Sequence, residues 1–93
     1  MLDQIEELLG SEEPTLARME DTLTEGYAQA LALEAERWRL ERRVGEVARE
    51  GPTDFEELQS LGTRLSRADG ELATLRDLLG RLHERARLLR KAS

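Results

Sequence analysis

The fold is decided at residues 47–58, VAREGPTDFEEL, near the middle of the chain. Gly51 can adopt the left-handed backbone conformation that ends a helix, and Pro52 cannot continue one. Helix-forming residues with regular apolar spacing extend from this dipeptide in both directions. We therefore predict two long helices, 12–50 and 54–90, joined by a tight turn.

Other signals mark the remaining helix ends. Thr53 and Glu56 have the spacing of a capping box, which places the start of the second long helix just after the turn. Gly10 and Ser11 are favourable C-cap and N-cap residues. They separate a short amphipathic helix, 2–9, from the first long helix.

Apolar residues recur at alternating spacings of three and four along both long segments, which is typical of a helix that buries one stripe. If the chain folds back at the turn, residues whose numbers add to 105 face each other along this seam. The predicted layers are Val47–Leu58, Val44–Leu61, Leu40–Leu65, Arg37–Ala68, Leu33–Leu72, Ala30–Leu75, Gly26–Leu79, Leu23–Leu82, Met19–Ala86 and Leu16–Leu89. Small residues tend to face large ones, which keeps the layer volumes even. Helices of this length predict a rod of about 54 Å.

The composition favours an all-α fold class. Charged residues make up 37% of the 93 residues and aromatic residues only 3%, a balance typical of long helices. We predict one helical domain over 1–93, built as a long antiparallel, coiled-coil-like hairpin with a short N-terminal helix. A break of the second long helix at Gly70 is the alternative, because an internal glycine costs up to ~1 kcal/mol relative to alanine.

The net charge of −6 disfavours non-specific binding to nucleic acid or to anionic lipid. Arginines cluster near the C-terminus, but the hairpin would place them beside acidic residues of the first long helix. No apolar run reaches transmembrane length, and the first nine residues carry acids where a signal peptide would be basic. We therefore expect a cytoplasmic protein that binds neither nucleic acid nor membranes.

One apolar line on the first long helix lies outside the seam. Tyr27, Leu31, Ala35 and Trp38 follow one flank of that helix. A two-helix rod of this size has little stability in reserve and would leave this flank exposed. We predict that two hairpins pair through it into a dimeric four-helix bundle, with the N-terminal helix covering part of the remaining apolar surface. Another helical protein is the second candidate partner.

Charges beside the seam predict two unlike edges. On one edge Glu34 faces Arg76 and Glu20 faces Arg90, which are favourable pairs. On the other edge, like charges lie level with each other, at Glu36–Glu71, Arg43–Arg64 and Glu50–Glu57. Because like charges repel, we expect a second chain to relieve this edge.

The residues predict no metal and no cofactor. The chain has no cysteine, and its one histidine, His83, lacks the preceding glutamate of a di-iron bundle site because Gly80 stands there. The sequence also contains neither a glycine-rich phosphate loop nor a nucleophile elbow. We interpret His83 as a side chain that flanks the seam near Tyr27.

Arg37 places a charge where the seam predicts an apolar residue. Its stem can pack in the seam while its guanidinium leaves the core toward Asp69 or Glu34. It is also a candidate anion-binding residue inside a helical bundle.

The residues around Arg37 carry a family resemblance. The stretch 31–37, LALEAER, with Leu40 and Val44 after it, resembles the first long helix of the all-helical chorismate mutases. The resemblance implies an intertwined helical dimer in which Arg37 helps to bind the substrate carboxylates. The first arginine of the family pattern falls at Glu20 here, so the resemblance implies a degenerate site.

Three functional hypotheses follow from the sequence, the third being a nucleic-acid accessory protein that uses the C-terminal arginine cluster. The favoured one is a non-enzymatic coiled-coil interaction or scaffold module that self-associates, since a complete catalytic set is not found. The alternative is a chorismate-mutase-like helical-bundle enzyme that depends on Arg37.

Overall fold

The computed structural model describes residues 1–10, 15–50 and 55–92. These residues form three helices, α1 (Leu2–Gly10), α2 (Leu16–Glu50) and α3 (Phe55–Ala92), and no strand. The predicted all-α fold class is therefore confirmed. The molecule is a rod of 60 × 17 × 14 Å, close to the expected length.

Helices α2 and α3 pack against each other in antiparallel orientation along almost their whole length. Ion pairs show the direction, since Glu20 bonds to Arg90 at one end and Arg43 bonds to Glu57 near the other. The predicted seam lies inward, and among its apolar members only Leu89 is classed as exposed. Gly26 packs so closely on Leu79 that a Cβ atom there would overlap the leucine side chain. This contact agrees with the predicted register.

Helix α1 packs mainly on α3 and closes one edge of the hairpin. Ile5 and Leu8 are buried in the same apolar cluster as Leu78, a residue that lies off the seam. The Arg85 guanidinium donates a hydrogen bond to the carbonyl oxygen of Leu9 and fastens the end of α1 to α3. The expected covering role of the N-terminal helix is thus present within one chain.

The helix ends differ in part from the prediction. Helix α2 begins at Leu16 rather than at residue 12, because the Thr15 hydroxyl accepts a hydrogen bond from the amide of Arg18 at 3.2 Å and caps the helix. The predicted Ser11 cap, the Gly51–Pro52 turn and the Thr53 capping residue lie outside the described residues.

Helix α3 runs through Gly70 without a break, so the alternative of a second helix split at this residue is wrong. Gly70 is exposed, whereas Ala68 and Leu72 on either side of it are buried in the seam. Their packing against α2 outweighs the ~1 kcal/mol that glycine costs in a helix interior.

The core is divided into two clusters along the rod. The larger contains α1 together with the half of the hairpin far from the turn, and it includes Leu33 and Leu72. The smaller lies in the half near the turn and includes Leu40 and Ala68. Arg37, the charged member of the seam, lies between the two clusters and interrupts the apolar packing.

Candidate interaction surface

The four residues predicted as an interface, which we call the Tyr27 surface, are all exposed on α2. Tyr27 is 47% exposed, Leu31 66% and Trp38 57%, and Ala35 is exposed beside them. They lie on the side of the hairpin away from α1. The Glu34–Arg76 ion pair beside them joins one edge of the hairpin, and α1 covers the opposite edge, where Arg85 binds Leu9. Isolated exposed apolar residues are ordinary, but a line of them is typical of an interaction site.

A groove runs between the Tyr27 surface and α3. It has a volume of about 390 Å³ and is lined on one side by Tyr27 and Leu31 and on the other by Leu79 and Gly80. Gly80 has no heavy atom near the position that a Cβ would occupy, so the α3 side of the groove is open. The groove can therefore receive a large apolar side chain from outside the chain.

The Glu34–Arg76 ion pair, predicted from the register, is present and bounds this groove. Beyond it lies a second shallow groove, which Trp38 lines together with Arg37 and Glu41. The guanidinium of Arg42 stacks over the Trp38 ring, 4.8 Å from its centroid. This cation–π contact holds the indole in a defined orientation while most of the ring remains accessible.

Arg37 lines the second groove and forms ion pairs with two carboxylates. Its Nε lies 3.2 Å from Glu41 Oε1 and 2.9 Å from Asp69 Oδ1. The stem packs at the seam and the charged group leaves it toward Asp69, as one of the two predictions for this residue stated. An anion at this position would have to compete with both carboxylates, which offset the positive charge of Arg37.

The edge predicted to carry unmatched like charges is matched within the chain. Arg43 binds Glu57 at 2.7 Å, and Arg64 reaches Glu36 at 4.0 Å. The prediction paired residues at the same level, but the long side chains reach diagonally and meet residues of opposite charge. Hydrogen bonding to Glu57 raises the pKa of Arg43. This edge therefore offers no argument for a second chain.

The basic end of α3 is paired as well. Arg90 binds Glu20 at 3.1 Å, and Arg81 binds Asp77 at 3.0 Å. The hydrogen bond from Arg87 lowers the pKa of Glu84. The contact of Arg90 with Glu20 matches the expectation that the arginine cluster lies beside acids of the first long helix, whereas Arg81 and Arg87 pair with acids of α3 itself. His83 is exposed, and within the described ranges no cluster of His, Asp and Glu has the grouping of a metal site.

Two exposed apolar residues were missed by the sequence analysis. Phe55, at the start of α3, is 81% exposed and lies outside the Tyr27 surface. Leu88 is 54% exposed and borders a shallow groove on α3 with Gly80 and Glu84. Leu78, also off the seam, is buried because it joins the cluster that contains α1. The two leucines face different directions, since ten residues turn a helix to about 80° short of three full turns. Leu78 therefore flanks the seam and meets α1, whereas Leu88 lies on the outer side.

These features define a class of protein, an all-helical rod of two long antiparallel helices and one short docked helix with an exposed apolar line. No family model, no curated protein and no solved structure matches the chain. None of the described helices combines the length and apolar character that a membrane crossing requires.

Proposed function

We propose that this protein is a non-enzymatic, coiled-coil interaction or scaffold module that self-associates through the Tyr27 surface into a dimeric four-helix bundle. The observation that carries the proposal is the exposure of Tyr27, Leu31 and Trp38 in one line on the hairpin edge that α1 leaves uncovered. Burying these side chains would stabilise a dimer by roughly 25 cal/mol for each Å² of apolar surface removed from water.

The shape of the molecule suits pairing along its length. A face of 60 by 17 Å offers an area comparable with the ~800 Å² per partner that a standard protein interface buries. The groove between Tyr27 and Gly80 provides a receptor for a side chain of the second copy. Tyrosine and tryptophan are the residue types most often found as energetic centres of interfaces.

The surroundings of Arg37 support a non-enzymatic role. A dicarboxylate substrate requires several converging cations with free charge. The two arginines that line this groove, Arg37 and Arg76, are both paired with acids of the chain: Arg37 with Glu41 and Asp69, and Arg76 with Glu34. The grooves on this side are open to solvent, while small-molecule sites commonly bury most of their ligand.

The test is the molar mass in solution, measured by light scattering after size-exclusion chromatography over a dilution series. We expect a wild-type dimer of twice the 10.6 kDa chain mass. Trp38→Glu should dissociate it, because the change removes the largest apolar side chain of the Tyr27 surface and places a carboxylate in the interface. Circular dichroism reports whether the variant retains its helices.

Leu88→Glu is the matched control, since it removes an apolar residue of similar exposure that lies outside the Tyr27 surface. We expect it to remain a dimer. A wild-type chain that stays monomeric at every concentration would overturn the proposal. A dimer that is lost in Leu88→Glu and kept in Trp38→Glu would assign self-association to α3 instead.

A further inference from the structure

We infer that the two copies pair in antiparallel orientation, α2 against α2, about a two-fold axis level with residue 33. The inference rests on the proposed self-association through the Tyr27 surface, and it adds the orientation and the register. Three features of α2 support it: the sizes of the exposed side chains, the charges at the two ends of the line, and the position of the line on the rod.

A row of exposed residues on the outer side of α2 shares Leu31, Ala35 and Trp38 with the Tyr27 surface and has Ala28 in place of Tyr27, and this row alternates in size. Ala28, Leu31, Ala35 and Trp38 follow spacings of three, four and three, and all four are exposed. When two antiparallel copies are aligned so that facing numbers add to 66, Leu31 lies opposite the second copy's Ala35 and Trp38 lies opposite the second copy's Ala28. Large residues then face small ones in all four layers, which permits close packing of the two helices.

A parallel arrangement lacks this complementarity. It would place Trp38 on Trp38 and Leu31 on Leu31, and each alanine would face another alanine. Layers of two large residues alternating with layers of two small ones leave gaps, which cost dispersion contacts. A two-fold axis perpendicular to the helices avoids this, because the same surface then meets itself in reverse order.

The charges at the two ends of the line agree with the antiparallel orientation. Asp21 and Arg42 lie on the same face as Ala28 and Ala35, since these four positions are each seven residues apart. In the proposed register, Arg42 of one copy comes within one helical turn of Asp21 of the other. Arg42 already projects over Trp38, at the rim of the surface. Parallel pairing would bring Arg42 beside Arg42 and Asp21 beside Asp21, which is unfavourable.

The position of the axis permits full overlap of the two rods. Residue 33 is the midpoint of α2, which extends from Leu16 to Glu50. The two copies then align from end to end, with the Glu50 end of each α2 beside the Leu16 end of the other. Helix α1 lies on the other edge of each hairpin, where Arg85 binds Leu9, and so does not obstruct the contact. A shift by one heptad would lose about 10 Å of overlap.

The absence of cysteine from the chain allows a direct test with spin labels at single introduced cysteines. Ala48→Cys and Ala32→Cys are suitable, because both alanines are exposed on α2. With an axis at residue 33, the two Ala48 positions are separated by about 45 Å along the rods, and the two Ala32 positions by about 3 Å. The spacing between the helices contributes to both distances. Pulsed electron paramagnetic resonance measures the long one, and dipolar broadening of the continuous-wave spectrum reports the short one.

We expect a long distance for the Ala48→Cys label and a short one for the Ala32→Cys label. Two short distances would identify a parallel dimer and overturn the inference, while the proposed function would stand. An Ala48 distance that differs by about 10 Å from the expected value would overturn the register, since it corresponds to a shift of one heptad. Light scattering on the labelled chains provides the control, because a monomer would overturn both the inference and the proposed function.

Discussion

The two halves of the rod are built from the same seam but are closed differently. In the half far from the turn, α1 supplies a third helix, and Met19 and Leu82 are fully buried. In the half near the turn only α2 and α3 meet, and Val44 and Leu65 are partly exposed. The comparison shows that one apolar stripe per helix does not complete a core, whereas a third helix of only nine residues does.

The dependence is mutual, because a helix as short as α1 is not stable alone in water. Ile5 and Leu8 give α1 its buried face, and the bond from Arg85 to Leu9 fixes one end. The half with three helices should therefore be the more stable one. The changes described below test this difference, from the largest expected effect to the smallest.

Leu72→Asp should have the largest effect. Leu72 is 2% exposed in the three-helix half, so the substitution buries an unpaired carboxylate at the seam. We expect a loss of more than ~4 kcal/mol, enough to abolish helical circular dichroism at room temperature. Leu65→Asp is the matched change in the two-helix half, where partial exposure lets the carboxylate reach water and the loss should be smaller. Equal losses would contradict the difference between the halves.

Ile5→Ala measures how much α1 contributes. Ile5 is fully buried, and truncating such a residue to alanine typically costs ~2–5 kcal/mol. We expect denaturant unfolding to show a loss in this range, together with faster amide hydrogen exchange around Met19. The hydrogen-exchange rates of the amides around Val47, in the other half, should change little. If Ile5→Ala were neutral, α1 would not be the element that completes the core.

The register of the hairpin could be predicted from the sequence because it follows from a long repeated pattern. Ten layers had to agree at once, and the close contact of Gly26 with Leu79 and the Glu34–Arg76 pair match that prediction. The placement of α1 could not be predicted to the residue. Its docking depends on which off-seam side chains the hairpin presents, such as Leu78, and no periodicity specifies that choice.

The errors in the charge pattern have a similar cause. Residue numbers predict which residues of the two helices lie at the same height along the rod. They do not predict that the long side chain of Arg43 extends diagonally to reach Glu57 at a different height. The start of α2 could not be predicted exactly because more than one residue in this stretch can cap a helix. In the structure the cap is Thr15, whose hydroxyl accepts a hydrogen bond from the amide of Arg18. Within the candidate site, the exposure of Tyr27 and Trp38 follows from their position outside the seam, whereas the cation–π contact of Arg42 does not.

Arg37→Leu tests the boundary between the two core clusters. The ion pairs of Arg37 with Glu41 and Asp69 are about half exposed, and such pairs contribute ~0–1 kcal/mol each. A leucine would join the two clusters. We therefore expect the free energy of unfolding, measured with denaturant, to stay unchanged or to rise by up to ~2 kcal/mol. A loss of several kcal/mol would show that the ionic network holds the halves together.

The same residue separates the proposed function from the enzymatic alternative. Conversion of chorismate to prephenate by the wild-type chain, abolished in Arg37→Ala, would replace the interaction module with an enzyme. Arg39→Ala is the control, since it removes an exposed arginine of the same helix that does not line the Arg37 groove. We expect no turnover from any of the three chains.

The smallest effect concerns two helical glycines with different surroundings. At Gly70, a Cβ would meet no atom, so Gly70→Ala should raise the free energy of unfolding by up to ~1 kcal/mol through helix propensity alone. At Gly26 the added carbon overlaps Leu79, which is buried and has little freedom to move aside. Gly26→Ala should therefore gain less than Gly70→Ala, or lose stability. Thermal unfolding of the two variants measures the difference in stability. An equal gain at both positions would mean that α2 and α3 can move apart at Gly26 without cost, which would contradict close packing in the three-helix half.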